Sequence, residues 1–238
     1  PNAKDGVNGG YQGEFYRAIN ADGALVKIPG RPSDYSEEQL ASLTTLADVM
    51  PTGFHAAKAA DVHEGDTVVV FGDGAVGLCA VISAKLLGAK RIIAMSRHED
   101  RAALARDFGA TDIIAERGAE AIQKIMAITN GYGADAALEC VGTKEAIESA
   151  FQAVRAGGRV GRVGVPHDVD YNEWIDSLFW KNIQLGGGVA SVARWDKEIL
   201  LEAVLSGEID PGRVFTEEFT LDEIQKAYEA MDQRTAIK

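Results

Sequence analysis

The sequence is poor in the residues and patterns that usually reveal a function directly. Its 238 residues include two cysteines, four histidines and 7% aromatic residues. Cys79 and Cys140 have the spacing of neither a zinc ribbon nor a redox pair, so we expect them to be core residues of a protein in the reducing cytoplasm. No uninterrupted apolar run approaches the roughly 20 residues of a membrane span. An H-E-x-x-H motif, a nucleophile elbow and paired carboxylates are also missing, so no catalytic group is self-evident.

The sequence also has fewer basic than acidic residues. It contains 24 lysines and arginines and 36 acidic residues, which gives a formal charge of −12. This balance argues against nucleic acid and anionic membranes as partners. With 46% hydrophobic and 25% charged residues, the composition is that of a soluble globular chain with a sizeable core.

A glycine-rich turn is the most informative feature that is present. The apolar run 67–71 leads into three glycines with the G-x-G-x-x-G spacing and then into an apolar helix. In such a turn the backbone approaches a pyrophosphate, and the helix presents its free N–H groups to the phosphates. A purely structural turn is the alternative. The flanking strand and helix favour a dinucleotide site formed by Gly72, Gly74, Ala75, Val76 and Gly77.

From this turn onward, short apolar segments alternate with helical patterns. Strands are predicted at 67–72, 91–96, 112–115, 135–140, 159–165 and 183–187, and helices at 75–88, 99–108, 119–129, 144–155 and 171–181. Strands that are apolar throughout belong to a sheet covered on both faces. The pattern predicts an α/β fold with a doubly wound, six-stranded parallel sheet of the Rossmann type.

The two flanking regions depart from this alternation. Before it we predict strand-like pieces at 14–19 and 24–28 and helices near Ser36 and Thr52; after it we predict a helix at 194–206, a strand at 214–220 and a helix at 222–232. We therefore expect residues 49–188 to form the dinucleotide-binding domain. Residues 1–48 and 189–238 are expected to meet in a second, smaller unit.

Two further sets of residues are candidates for contacts with a dinucleotide. An acidic residue commonly follows the second strand where NAD binds, whereas Ser96, Arg97 and, one helical turn later, Arg101 favour the additional phosphate of NADP. An ordinary helix start with solvated charges is the alternative. At the carboxyl ends of later strands, glycines either admit a nicotinamide ring or only form turns. The candidates there are Cys140, Val141, Gly142, Gly164, Val165, Leu185 and Gly186.

Six short motifs carry a resemblance to a known family. They are Asp48-Val49-Met50-Pro51-Thr52-Gly53-Phe54-His55, Val70-Phe71-Gly72-Asp73-Gly74-Ala75-Val76-Gly77-Leu78, Phe108-Gly109-Ala110-Thr111-Asp112, Glu139-Cys140-Val141-Gly142, Gly157-Gly158-Arg159-Val160 and Gly164-Val165-Pro166. In this order they resemble the medium-chain zinc-dependent alcohol dehydrogenases, including the branch related to threonine dehydrogenase. The resemblance implies a Rossmann domain beside a GroES-like catalytic domain, of which this sequence would hold a part, contributed by both chain ends.

The resemblance also implies a zinc ion in the complete protein, NADP or NAD as coenzyme, and an alcohol, aldehyde or ketone as substrate. The residues alone predict that Asp48 caps a helix or is exposed; the resemblance makes it a zinc ligand. By the same resemblance Thr52 lies near the nicotinamide and Lys238 contacts the pyrophosphate. The family's other zinc ligands would precede Pro1, so we expect this chain alone to be inactive. The family's dimers and tetramers lead us to expect a homo-oligomer.

Two other functions use the same turn. A zinc-independent quinone or enoyl reductase of this superfamily would not need Asp48. A non-catalytic NAD(P)-sensing module would need only the coenzyme site.

Overall fold

The computed structural model describes residues 15, 18, 21–167, 174–190 and 193–238. The strands are β1 (Thr67–Phe71), β2 (Arg91–Met95), β3 (Asp112–Ile114), β4 (Ala134–Glu139), β5 (Val154–Arg162) and β6 (Gln184–Gly187). The α-helices are α1 (Ala21–Ala24), α2 (Glu37–Thr45), α3 (Val49–Ala59), α4 (Ala75–Leu86), α5 (Glu99–Phe108), α6 (Gly118–Ile128), α7 (Lys144–Ala153), α8 (Ile175–Lys181), α9 (Arg194–Leu205) and α10 (Ile224–Asp232). Short 3-10 helices occupy Pro32–Asp34, Pro211–Val214 and Leu221–Glu223. Within these ranges no helix is long and apolar enough to cross a membrane.

The six strands form one parallel sheet in the order β3-β2-β1-β4-β5-β6. β1 lies at the centre, where Val69 is opposite Ile93 of β2 on one side and opposite Ala137 of β4 on the other. The chain therefore builds the sheet outward from β1 in one direction and then in the other. This arrangement confirms the predicted doubly wound sheet. Open sheets of this kind bind ligands at the carboxyl ends of the strands, beside the reversal.

Both faces of β1 are buried, which explains its uninterrupted apolar sequence. Val68 and Val70 pack into a core with residues of α3 and α4, whereas Val69 and Phe71 belong to a second core with residues of α6 and α7. All four side chains are at most 4% exposed. Full burial of side chains of this size contributes roughly 1.5–3 kcal/mol each. β1 thus joins the two cores and supports the site at its carboxyl end.

Two predicted strands are wrong. Residue 24 ends α1 and residues 25–28 follow it in an irregular conformation, while residues 214–220 join no strand within the described ranges. The apolar patterns favoured an extended chain, but a strand also needs a neighbour for its backbone groups. In segment 214–220, isolated hydrogen bonds replace those that a neighbouring strand would provide. The Thr216 N–H donates to the Lys238 carbonyl, and the Thr216 hydroxyl accepts from the Ile237 N–H.

Other boundaries shift by a few residues. α7 ends at Ala153 because β5 begins at Val154, and β5 ends at Arg162, three residues before the predicted end. The ladder of β4 and β5 is interrupted by a bulge between Ala134 and Ala136. α8 begins at Ile175, while residues 171–173 of that predicted helix lie outside the described residues. Most of the predicted strand 14–19 lies outside them as well.

The two flanking regions meet at a well-defined contact. The Ser42 hydroxyl on α2 donates to Asp210 Oδ1 at 2.6 Å and accepts from the Gly212 N–H at 3.0 Å. This contact ties α2 to the 3-10 helix Pro211–Val214. It supports the expectation that both chain ends contribute to a second unit, and the division into domains stays a prediction.

The crossing of α3 and α4 depends on Gly53. A Cβ at this position would lie 2.5 Å from Ala80 N and 2.6 Å from Cys79 C. Because these are backbone atoms, we expect Gly53→Ala to lower the free energy of unfolding by about 1–3 kcal/mol, the usual cost of overpacking. Urea unfolding followed by circular dichroism measures the change. Gly23→Ala is the control, since nothing lies within 4 Å of a Cβ there; equal losses would contradict this account of the crossing.

Candidate functional site

The end of β1 and the start of α4 are joined by a tight turn. Gly77 on α4 lies directly against Gly72, because a Cβ at Gly77 would overlap the Gly72 carbonyl. Gly72 has a φ of +114°, in a region that residues with side chains rarely adopt. The turn therefore needs glycine at both positions, and α4 begins immediately above the carboxyl end of β1.

The space above this turn is open. No atom lies within 4 Å of the Cβ that Gly74, the N-cap residue of α4, would carry. No side-chain hydrogen bond caps α4 in the part of the chain that the structure describes. The N–H groups of Ala75, Val76 and Gly77 belong to the first turn of the helix, which has no intrahelical acceptors, and the helix dipole adds positive potential there. Such a helix start suits a phosphate group.

Asp73 connects the glycine turn to the end of β2. Its carboxylate accepts the Ser96 hydroxyl at 2.7 Å, and Arg101 Nη1 lies 3.6 Å from its other oxygen. Arg101 also donates to the carbonyls of Arg234 and Ala236. Ser96 is 2% exposed and Arg101 is 8% exposed. The fold thus brings Ser96 and Arg101, two of the predicted site residues, close to the glycine turn. The polar groups of both side chains already have partners within the protein. Their contact with a coenzyme stays a prediction.

Arg97 is the exposed cation beside this cluster, and a second arginine accompanies it. Burial lowers the pKa of Arg117, the charge of Arg97 lowers it further, and Asp73 acts in the opposite direction. The two guanidinium groups are therefore close enough to repel each other. Neighbouring cations of this kind provide a site for an anion with two charges, such as a phosphate.

Arg117 is absent from the sequence-based set of site residues. It immediately precedes α6, and its Nη1 donates to the carbonyls of Ala115 and Glu116 at 3.0 and 2.8 Å. β3 lies beside β2 in the sheet, and the Ser96 N–H donates to the Ile114 carbonyl at 3.1 Å. The sequence could have indicated Arg117 as a site residue, because it lies just after the predicted strand that became β3, the neighbour of β2.

The carboxyl ends of β4 and β5 are packed against each other. A Cβ at Gly142 would overlap the Val165 carbonyl, and one at Gly164 would overlap Gly142 N. The protein's own packing therefore requires glycine at both positions. This agrees with the alternative in which these glycines only form turns. Beside this contact, Val141 and Val165 are 41% and 68% exposed. Val141 Cγ2 and Cys140 Cβ both lie next to Gly72, so this apolar surface adjoins the glycine turn.

Leu185 and Gly186 lie further along the same edge, on β6. Leu185 is 42% exposed, and Gly186 packs closely on α3, since its Cβ would lie 2.7 Å from the Ala59 carbonyl oxygen. The nicotinamide contacts predicted for the residues at the ends of β4, β5 and β6 stay predictions.

Asp48 is hydrogen-bonded to Thr52, and the charges of Asp48 and Lys238 both act on Cys79 of α4. The Thr52 hydroxyl donates to Asp48 Oδ1 at 3.1 Å. Burial raises the pKa of the Cys79 thiol, the Asp48 carboxylate raises it further, and the Lys238 ammonium group lowers it. Both charges therefore lie close to Cys79, which is one turn into α4. Asp48 is the N-cap residue of α3, but its exposed side chain makes no capping hydrogen bond to the helix.

Asp48 cannot hold zinc without further ligands. A catalytic zinc site has about three protein ligands. Among the described residues, no group of three His, Cys, Asp or Glu side chains could hold a metal ion. These residues therefore do not form a zinc site by themselves. The role of Asp48 as one ligand among several stays a prediction.

A groove of about 830 Å³ lies elsewhere, between α2 and residues 210–218. Its lining includes the acidic side chains Glu37, Glu38, Glu217 and Glu218. Negative charge of this kind repels phosphate, so the groove is not an alternative site for a dinucleotide.

An open glycine turn at the reversal of a parallel sheet defines a class of protein, the dinucleotide-binding α/β proteins. The sequence profile of the zinc-binding dehydrogenase family matches residues 75–198. The chain belongs to this family.

Individual relatives and a solved structure agree with this assignment. The chain is 36% identical to the NADP-dependent isopropanol dehydrogenase of Thermoanaerobacter brockii, over 97% of this chain and 64% of that protein. It is 33% identical to the sorbitol dehydrogenase of Bacillus subtilis, over 91% of this chain and 62% of that protein. The alcohol dehydrogenase TADH from Thermus sp. ATN1 has a TM-score of 0.85 and 31% identity, over 96% of this chain and 64% of that one. The chain thus spans somewhat less than two thirds of these relatives.

Gly74 offers a direct test of the open turn. Its φ of −80° is available to alanine, and the added methyl group would meet no protein atom. We expect Gly74→Ala to leave the thermal midpoint unchanged but to weaken NADPH binding at least about tenfold, because the methyl group would enter the space of the pyrophosphate. Titrations that follow coenzyme fluorescence measure the affinity, with Gly23→Ala as the control. Unchanged affinity would show that the phosphates lie elsewhere.

Proposed function

We propose that the complete protein is a zinc-dependent, NAD(P)-linked alcohol dehydrogenase and that this chain is its coenzyme-binding portion, with a preference for NADP. The observation that carries the proposal is the open turn at Gly74, with Arg97 and Arg117 near one end and Asp48 and Lys238 near the other. The family assignment and the relative named as NADP-dependent support it.

The glycine turn fits the pyrophosphate of a dinucleotide. The N–H groups of Ala75, Val76 and Gly77 would bind phosphate oxygens, while Gly72 and Gly74 would let the backbone approach closely. Lys238 would add a positive charge from the last residues of the chain. When bound, the nicotinamide ring supplies the chemistry by accepting or giving a hydride.

The adenosine end of the coenzyme would lie over β2. Arg97 and Arg117 would bind the 2′-phosphate of NADP, which an uncharged hydroxyl replaces in NAD. Arg101 offsets the charge of Asp73, which also holds the Ser96 hydroxyl. Arg97, Arg101 and Arg117 outnumber the two carboxylates near them, Asp73 and Glu116, and the remaining positive charge would favour NADP over NAD.

The nicotinamide end would lie across β4, β5 and β6. The exposed side chains of Val141 and Val165 would cover one face of the ring and keep water from it. The remaining contacts along this edge are proposed for Cys140, Gly142, Gly164, Leu185 and Gly186. Thr52 and Asp48 would face the substrate. The names of the relatives, isopropanol and sorbitol dehydrogenase, support an alcohol, aldehyde or ketone as the substrate class.

We also infer that the complete protein is a homo-oligomer, a dimer or tetramer, in the cytoplasm. β6 pairs with β5 alone in the described part of the sheet. Leu185 on this strand is 42% exposed and Val189, just after it, is 98% exposed. Proteins tend to cover an apolar edge strand, and two-fold pairing of identical edges is a common way to do so.

Arg97 tests the coenzyme preference. We expect Arg97→Ala to weaken NADPH binding about ten- to a hundredfold and to change NADH binding less than about twofold, because only NADPH carries the 2′-phosphate. Arg117→Ala should act in the same way. Arg106→Ala is the control, since it removes an exposed cation that pairs with Glu99 on the same helix. Titrations with both coenzymes measure the effect, and equal losses for the two would contradict the assignment.

The zinc assignment is tested on the complete protein, with the upstream sequence restored. We expect at least about one zinc ion per chain, measured by atomic absorption after gel filtration, and a lower content in Asp48→Asn. Asp61→Asn is the control, because Asp61 is an exposed carboxylate beside His63. A zinc-free protein that still reduces quinones or enoyl compounds would favour the zinc-independent reductase. A protein without turnover that binds the coenzyme would favour the sensing module.

A further inference from the structure

A buried residue, Glu139, contacts the backbone of the loops that follow both β4 and β5, one through its carboxylate and the other through its main-chain carbonyl. Glu139, the last residue of β4, is 0% exposed. Its Oε1 accepts the N–H groups of Val141 and Gly142, both at 2.7 Å. Its main-chain carbonyl accepts the N–H groups of Val163 and Gly164, at 2.9 and 3.1 Å. A single residue therefore holds the backbone on both sides of the contact between the two strand ends.

The second carboxylate oxygen of Glu139 faces β5. Oε2 lies 3.5 Å from Arg162 Nε and has no hydrogen-bond donor among the described residues. Arg162 Nη2 in turn donates to the Gly164 carbonyl at 3.2 Å. A Cβ at Gly164 would lie 2.7 Å from Oε2, so the absence of a side chain there leaves room for the carboxylate.

Burying the Glu139 carboxylate costs free energy, so stability alone does not explain this arrangement. Burial raises the pKa of the Glu139 carboxyl group, while the N–H groups of Gly142 and Val141 and the charge of Arg162 act in the opposite direction. Apolar residues of similar volume often stabilise a protein as well as a buried ion pair does. What the carboxylate adds is directed hydrogen bonding, which holds Val141 and Gly142 in one conformation.

The geometry points to Glu139 as a positioning residue for the nicotinamide half of the coenzyme, and this inference rests on the proposed function. Val141 and Val165, which would cover the ring, belong to the two loops that Glu139 connects. These loops lie on the β4 side of β1, whereas the adenosine end would lie on the β2 side, where the sheet continues in the other direction. A surface that is ordered before binding has less conformational freedom to lose when the ligand arrives. Glu139 therefore strengthens one half of the binding site and not the other.

Glu139→Gln tests this division, because it keeps the size of the side chain and removes its charge. We expect the Kd of NADPH to rise about tenfold. The Kd of adenosine 2′,5′-bisphosphate, which lacks the nicotinamide, should change less than about twofold. A merely structural loss would weaken both ligands.

Asp135→Asn is the matched control. Asp135 is also on β4, at its other end, and its carboxylate likewise accepts a backbone N–H, from Thr67, and pairs with an arginine, Arg155, both at 2.8 Å. We expect this variant to bind both ligands as the unaltered chain does. Equal losses for the two ligands in Glu139→Gln, or no loss for either, would overturn the inference.

A measurement on the unaltered chain covers the case in which Glu139→Gln does not fold. Hydrogen exchange without coenzyme should show the amides of Val141 and Gly142 slowed relative to unstructured peptide, because both donate to the buried carboxylate. Exchange at the rate of unstructured peptide would overturn the inference. Failure of the unaltered chain to bind both NADPH and adenosine 2′,5′-bisphosphate would instead overturn the proposed coenzyme site itself.

Discussion

The direct contact between Gly77 and Gly72 determines where the other groups of the site can lie. Because the backbone of α4 touches the end of β1, the helix starts over the sheet and turns its first N–H groups toward open space. Asp73, in the same turn, binds Ser96 and approaches Arg101, so the contact also sets the position of β2 and α5. A side chain at position 77 would displace all of these groups together.

The distribution of charge matters more here than its total. A chain with a formal charge of −12 repels anions in general. Around the end of β2, however, the fold gathers arginines from different elements, and Asp73 engages only one of them directly. Such a local excess of positive charge can attract a phosphate even to an acidic protein, since exposed charges are screened beyond about 8–10 Å. The other end of the site differs, because it combines the exposed apolar side chains of Val141 and Val165 with the opposite charges of Asp48 and Lys238.

The sheet could be predicted because its strands are buried on both faces. Such strands need apolar residues at successive positions, and short apolar runs are easy to recognise in a sequence. Residues 24–28 and 214–220 have similar apolar patterns but no neighbouring strand in the part of the chain that the structure describes, and the sequence cannot say whether a neighbour will be present. Neither Arg117 nor a positioning role for Glu139 was predicted, for a related reason. The importance of Arg117 depends on Arg97, 20 positions earlier, and that of Glu139 depends on a loop that follows another strand.

The amino-acid sequence by itself determined the alternation of strands and helices, the glycine turn and the family, since these depend on local patterns that are read along the chain. Only the tertiary structure decided which side chains meet at the ends of the strands. It gave the Ser96 hydroxyl a partner in Asp73, left Arg97 exposed and buried Glu139 in contact with the backbone after both β4 and β5. The physical reason is that burial and hydrogen bonding depend on neighbours in space, and parallel strands bring together residues that are far apart in the chain.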